Sequence, residues 1–181
     1  MPRLCVFCGS ALGARPIYAE AAATLGRALA ARGVGVVYGG AAIGMMGVLA
    51  DAAREAGGEV IGVIPRRLVE REIAHTLLSE SHVVETLSER KQKMADLSDA
   101  FLALPGGYGT LDELFEVLTW AQLGLHAKPV GIWNLQGFFS GLVAGLDHAS
   151  QEGLLRPADR GRLIVEPELP PLLDRLLGLP G

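Results

Sequence analysis

Short, nearly continuous apolar runs alternate with longer helix-like runs from one end of this chain to the other. Residues 4–8, 34–38, 59–64, 82–85, 100–104, 129–133 and 163–165 read as strands. Residues 15–31, 44–55, 88–97, 111–123, 137–152 and 168–177 read as helices, with Pro16 suited to a first turn and Gly33 to the position just past an end. Strands that are apolar on both faces belong to a sheet covered by helices on both sides. Right-handed crossovers then predict an α/β fold: a doubly wound, Rossmann-like parallel sheet flanked by helices. Residues 65–81 carry charges without a clear period and read as irregular. No repeat, low-complexity tract or linker divides the chain, so residues 1–181 read as a single domain.

Composition narrows the functional classes. Half of the 181 residues are hydrophobic and the mean hydropathy is +0.33, which excludes a disordered chain. No apolar run reaches the ~18 residues that span a bilayer, and the start lacks the apolar core and cleavage site of a signal peptide. The expectation is a cytoplasmic protein that does not engage membranes. A net charge of −4 argues against a nucleic-acid partner, yet leaves room for a locally positive pocket. The two cysteines, Cys5 and Cys8, match C-x-x-C but sit within a strand, where side chains three apart point to opposite faces. A redox or metal pair is therefore not expected.

In an open α/β sheet, ligands bind beyond the carboxyl ends of the strands. Three glycine turns stand at those ends. The first contains Gly9, Ser10 and Gly13. The second contains Gly39, Gly40, Gly44, Met45 and Gly47, and the third Gly106, Gly107, Tyr108, Gly109 and Thr110. Glycine lets backbone N–H groups approach an anion, and each turn leads into a helix whose N-terminus favours negative charge. Any one such turn is also explained as a tight connection; three together point to a phosphate-bearing ligand. The dinucleotide fingerprint is absent after the first strand, the second strand ends without an acidic residue, and no P-loop occurs. A mononucleotide or sugar phosphate fits better than NAD or a triphosphate.

Several charged residues lie near those turns. Glu113 follows Thr110 by three, so Thr110-Leu111-Asp112-Glu113 reads as a capping box, a role that leaves the carboxylate free to face a ligand as well. Asp112 and Glu116 read as helix-surface charges. Arg90 and Lys91 open a helix at the same end of the sheet; a guanidinium there can fork onto phosphate or ribose oxygens, and a solvated basic face explains the pair equally well. Glu72 can reach the pocket from the irregular segment. His75, His82, His126 and His148 have no metal-ligand spacing, and no nucleophile elbow marks an acyl-transfer serine.

The run Pro105-Gly106-Gly107-Tyr108-Gly109-Thr110-Leu111-Asp112-Glu113 resembles the P-G-G-x-G-T-x-x-E signature of the LONELY GUY family, with Glu89-Arg90-Lys91 upstream. The resemblance extends through Cys8-Gly9-Ser10, the Gly39 to Gly47 turn, Gly62-Val63-Ile64-Pro65 and Leu118-Thr119-Trp120-Ala121-Gln122, nearly the whole chain. Members of that family are cytokinin riboside 5′-monophosphate phosphoribohydrolases, sometimes misnamed lysine decarboxylases. The resemblance implies Arg90 and Glu113 as the catalytic pair. It implies Lys91, Glu72, Thr119 and the Gly107 to Thr110 backbone as nucleotide-site residues, and a homodimer with its sites near the subunit interface. The chain departs from the family pattern at Leu87-Ser88, where Met-His is common, at Ala41, often glycine, and at Ala11, often serine. Those positions bear on substrate preference rather than chemistry.

The expected reaction cleaves the N-glycosidic bond of an adenosine 5′-monophosphate, N6-modified or plain, through an oxocarbenium-like sugar. The glycine turns and Thr110 are expected to hold the phosphate, Glu113 to orient water and offset charge at C1′, and Arg90 to position phosphate and ribose. No metal or organic cofactor is called for. The alternatives are a nucleotide sensor or carrier that does not cleave, a general AMP nucleosidase, and a pyridoxal-dependent decarboxylase, for which Lys91, Lys93 and Lys128 offer no motif.

Overall fold

The computed structural model describes residues 1–71 and 73–178. Every apolar run read as a strand forms one: β1 (Arg3–Phe7), β2 (Gly35–Tyr38), β3 (Val60–Pro65), β4 (Glu80–Val84), β5 (Ala100–Ala103), β6 (Val130–Trp133) and β7 (Leu163–Glu166). They make one parallel sheet in the order β4-β3-β2-β1-β5-β6-β7. The order reverses at β1, where Leu4 pairs with Val36 on one side and Ala100 on the other. This is the doubly wound arrangement, and the crevice at such a reversal is where ligands bind.

The helices are α1 (Ile17–Ala31), α2 (Gly44–Glu55), α3 (Arg66–Val69), α4 (Leu87–Asp96), α5 (Tyr108–Gln122), α6 (Ser140–Gln151), α7 (Pro157–Arg160) and α8 (Leu169–Leu177). One apolar core joins α1, α2 and α8 to a face of the sheet; the other joins α4 and α5, with flanking residues of α6, to the opposite face. The inner strands β1, β2, β3, β5 and β6 are buried almost throughout. Alternation along β1 sends Cys8, just past its end, to the first core and Cys5 to the second, so the two thiols are buried and free. Gly26 lets α1 and α2 touch backbone to backbone: a Cβ there would lie 2.6 Å from the Leu49 carbonyl oxygen.

Four expectations are corrected. The irregular stretch holds the short helix α3 and the first two residues of β4. Glu80 and Ser81 escape an apolar reading because β4 is an edge strand and stays largely exposed. Helix α6 starts at Ser140, after a separate 3₁₀ turn (Leu135–Gly137), and the four-residue α7 is too short to carry a period. Helix α5 starts at Tyr108 rather than at residue 111. Thr110 is therefore inside the helix, no side chain caps its start, and the capping box does not form. Among the described residues, no helix is long and apolar enough to cross a membrane.

Candidate active site

At the sheet reversal the turns after β1, β2 and β5 surround a cavity of about 390 Å³. The Gly9 N–H donates to the Pro105 carbonyl at 3.2 Å, and the Met45 N–H to the Gly9 carbonyl at 3.1 Å, which ties the three turns together. The turns do not use their glycines alike. Gly44 has φ +60°, and a Cβ there would lie 2.6 Å from Ala11 N; at Gly47 it would lie 2.7 Å from the Ala42 carbonyl carbon. At Gly40 it would press on β3, and at Gly106 it would overlap Thr110, 2.6 Å from its Cβ. These glycines serve the packing of the chain against itself. Gly107 and Gly109 differ: nothing lies within 4 Å of a Cβ at either, and both line the cavity.

Their bareness leaves the first turn of α5 open to the cleft. Its earliest closing bond runs from the Leu111 N–H to the Gly107 carbonyl, so the preceding amides have no helical acceptor. With the helix dipole behind them, such amides make this end of the cleft suited to an anion. Gly9, Ser10, Tyr108 and Thr110 also line it, Thr110 being only 3% exposed.

Arg90 and Glu113 meet in the same cleft. Glu113 projects from the second turn of α5 and Arg90 from α4, with Nη1 and Oε1 3.8 Å apart and each side chain 13% exposed. The Arg90 Nε donates to the Val63 carbonyl at 3.0 Å and Nη2 to the Gly39 carbonyl at 2.9 Å. The ends of β3 and β2 thus take up two donor directions, and the Nη1 side is what remains for Glu113 and a ligand. Burial pushes the Glu113 carboxyl up to about 7, with Arg90 pulling the other way and Asp112 adding to the rise. Near neutral pH such a group exchanges a proton readily.

The remaining sequence-derived residues lie around this centre. Lys91 Nζ is 3.0 Å from Asp112 Oδ2 and 3.1 Å from Glu116 Oε2, a clip between α4 and α5 rather than a cleft cation. Leu111 packs toward the core beneath α5, and Met45 is buried on a second, more apolar cavity with Tyr18 and Phe138. Thr119 is exposed further along α5, its hydroxyl donating to the Phe115 carbonyl, and does not line the cleft of its own chain. Glu72 lies outside the described residues.

Sequence reasoning missed Leu68 and Ile73, which close the cleft from the segment after β3. That segment is strapped down: the Ala42 N–H donates to the Ile73 carbonyl at 2.8 Å and the His75 N–H to the Gly40 carbonyl at 2.9 Å. Buried His75 accepts from the Leu77 N–H at Nδ1, which assigns its proton to Nε2, 3.2 Å from Asp51. His82 pairs with Glu80 and His126 with the Val117 carbonyl, so three of the histidines have structural partners.

Residues 46–176 match a family described as "Possible lysine decarboxylase". A probable cytokinin riboside 5′-monophosphate phosphoribohydrolase of Oryza sativa subsp. japonica is 49% identical over 174 residues, spanning 96% of this chain and 77% of its own. A cytokinin riboside 5′-monophosphate phosphoribohydrolase of Arabidopsis thaliana is 47% identical over 174 residues, spanning 96% and 82%. Among solved structures, the molybdenum cofactor carrier protein of Chlamydomonas reinhardtii superposes with a TM-score of 0.72 at 22% identity, over 98% of this chain and 97% of its own. That last likeness shows the fold. The identities over almost the full length show more: this chain belongs to the LONELY GUY family of phosphoribohydrolases.

Proposed function

We propose that this protein is a phosphoribohydrolase that binds a nucleoside 5′-monophosphate and splits an N6-modified adenosine monophosphate into free base and ribose 5-phosphate. One observation carries the reading: a largely buried Arg90–Glu113 pair shares its cleft with the uncapped start of α5, where Gly107 and Gly109 leave the backbone bare. The 5′-phosphate occupies the amides of Gly107 to Thr110, with Gly9 and Ser10 alongside. That anchor sets C1′ near Glu113, and binding energy from the phosphate lowers the barrier at the sugar. As the C1′–N bond breaks, its electron pair leaves with the base and positive charge builds on the ribose. Glu113, as the carboxylate, offsets that charge and takes a proton from the attacking water. Water's oxygen goes to C1′; its two hydrogens end on the new hydroxyl and on the base. Arg90 pulls Glu113 toward the charged form against its burial and presents Nη1 to the ribose. Glu72 and Lys91 join as outer residues of the site, and the scheme uses no metal or cofactor.

Residues 1–181 act as one nucleotide-binding unit, in the cytoplasm, as a homodimer. The outward side of α5 supports the dimer: Phe115 and Thr119 are exposed on it, with exposed Leu123 and Leu125 just beyond its end. Thr119 reaches a nucleotide only across such a subunit boundary. Sedimentation would return a dimer, and Leu123→Asp would return a monomer. Decarboxylation of lysine is disfavoured because none of the three lysines lines the cleft.

The test offers isopentenyladenosine 5′-monophosphate and AMP in parallel and measures free base by chromatography. Release from the first establishes the reaction, and the ratio sets the specificity. Glu113→Gln is expected to keep nucleotide affinity and lose turnover, and the riboside without phosphate to be cleaved far more slowly. Binding of both nucleotides with cleavage of neither would replace the hydrolase with a nucleotide carrier.

A further inference from the structure

Gly39 belongs to a glycine turn, but nothing about its backbone calls for glycine, since its φ lies outside the left-handed range. It is not among the residues lining the cleft. What stands beside it is Arg90. A Cβ at residue 39 would overlap Nη2 and lie 2.9 Å from Cζ of that guanidinium; the next nearest atom is the Met46 sulfur at 3.2 Å, a flexible thioether that can give way. Arg90 cannot give way without losing something. Its Nη2 already donates to the Gly39 carbonyl and its Nε to the Val63 carbonyl, and these bonds fix Nη1 at 3.8 Å from Glu113.

We infer that Gly39 is a positioning residue of the active site: its missing side chain is the seat of the Arg90 guanidinium, and through Arg90 it sets the charge state and reach of Glu113. The inference rests on the proposed roles of Arg90 and Glu113 for its kinetic consequence, but the seating itself is a matter of packing. Glu113 faces Arg90 and Lys91 from α4, Asp112 and Glu116 from its own helix, and the buried thiols of Cys5 on β1 and Cys8 just past it. Of these, Arg90 is the strongest influence holding the carboxyl down. Displacing it therefore moves Glu113 toward the protonated form.

The test is Gly39→Ala, read first by carbon-13 NMR of the Glu113 carboxyl. The titration midpoint is expected to rise by about one pH unit. AMP affinity should stay within about threefold, because the phosphate seat is untouched, while kcat falls about a hundredfold, the cost of a misplacement on the order of 1 Å. In an Arg90→Ala background the same substitution should be silent: the double variant melts within about 1 °C of Arg90→Ala alone and shares its Glu113 midpoint. That comparison decides the matter even if Gly39→Ala alone does not fold. An unmoved midpoint, or equal damage with and without Arg90, overturns the seating. Failure of the unaltered protein to release base would sink the hydrolase and leave the NMR comparison standing.

Discussion

Two forces act on the Glu113 carboxyl in opposite directions, and burial outweighs the arginine beside it. The consequence for stability has a definite sign. A carboxyl whose folded value is about 7, against an ordinary 4.5, is protonated in the native state while the unfolded chain has already ionised. The contribution of this one group to stability is therefore full below pH 4.5, falls between 4.5 and 7, and levels off above, a loss of about 3 kcal/mol. Glu113→Gln carries no such penalty. Its denaturation midpoint should exceed that of the unaltered protein at pH 8, and the two should converge near pH 4; a constant gap would assign the difference to packing. In the sequence, both members of the pair were legible as charged residues at the ligand end of the sheet. Their partnership was not. The string Thr110 to Glu113 reads as a cap, and only the earlier start of α5 releases the carboxylate from that role. Lys91 erred the other way: its clip to Asp112 and Glu116 is a contact between helices far apart in sequence, which no local pattern reveals.

At the level of elements, α5 shows why glycine content alone is a blunt signal. Gly106 and Gly109 belong to one motif and do opposite things. Gly109→Ala has room and suits a helix, so it should stabilise the protein by up to about 1 kcal/mol, raising Tm by roughly 2–4 °C. The new methyl points into the cleft, and AMP affinity should fall by about tenfold, close to 1.4 kcal/mol. Gly106→Ala overlaps Thr110 and should lower Tm instead, by about 4 °C or more. Calorimetry and nucleotide titration on the two variants check both signs; a Gly109→Ala protein that binds normally would move the phosphate away from α5. The strands were readable because burial on both faces leaves unbroken apolar runs. The edge strand β4 was read two residues short, and α3 and α7 were missed, because partial exposure and four-residue lengths give periodicity nothing to act on.

Over the whole molecule, β1 lies at the centre of the sheet, and its alternate side chains enter both cores. Cys5 is completely buried there, and its thiol is pushed up by that burial. In a Cys8→Ala protein, Cys5 should react with a thiol reagent only through global opening, at least about a thousandfold slower than in denaturant. Faster labelling would mean that one core opens without the other. The same central strand separates the two halves of the winding. Arg90, its carbonyl seats and the strap over the cleft come from the first half; Glu113 and the proposed phosphate turn come from the second. A ribosome making this chain adds the arginine more than twenty residues before the glutamate, a delay of about one to five seconds at about 5–20 residues per second. No nascent fragment that stops short of α5 contains the proposed catalytic pair, and the two halves, expressed as separate pieces, would report their reunion by the appearance of activity.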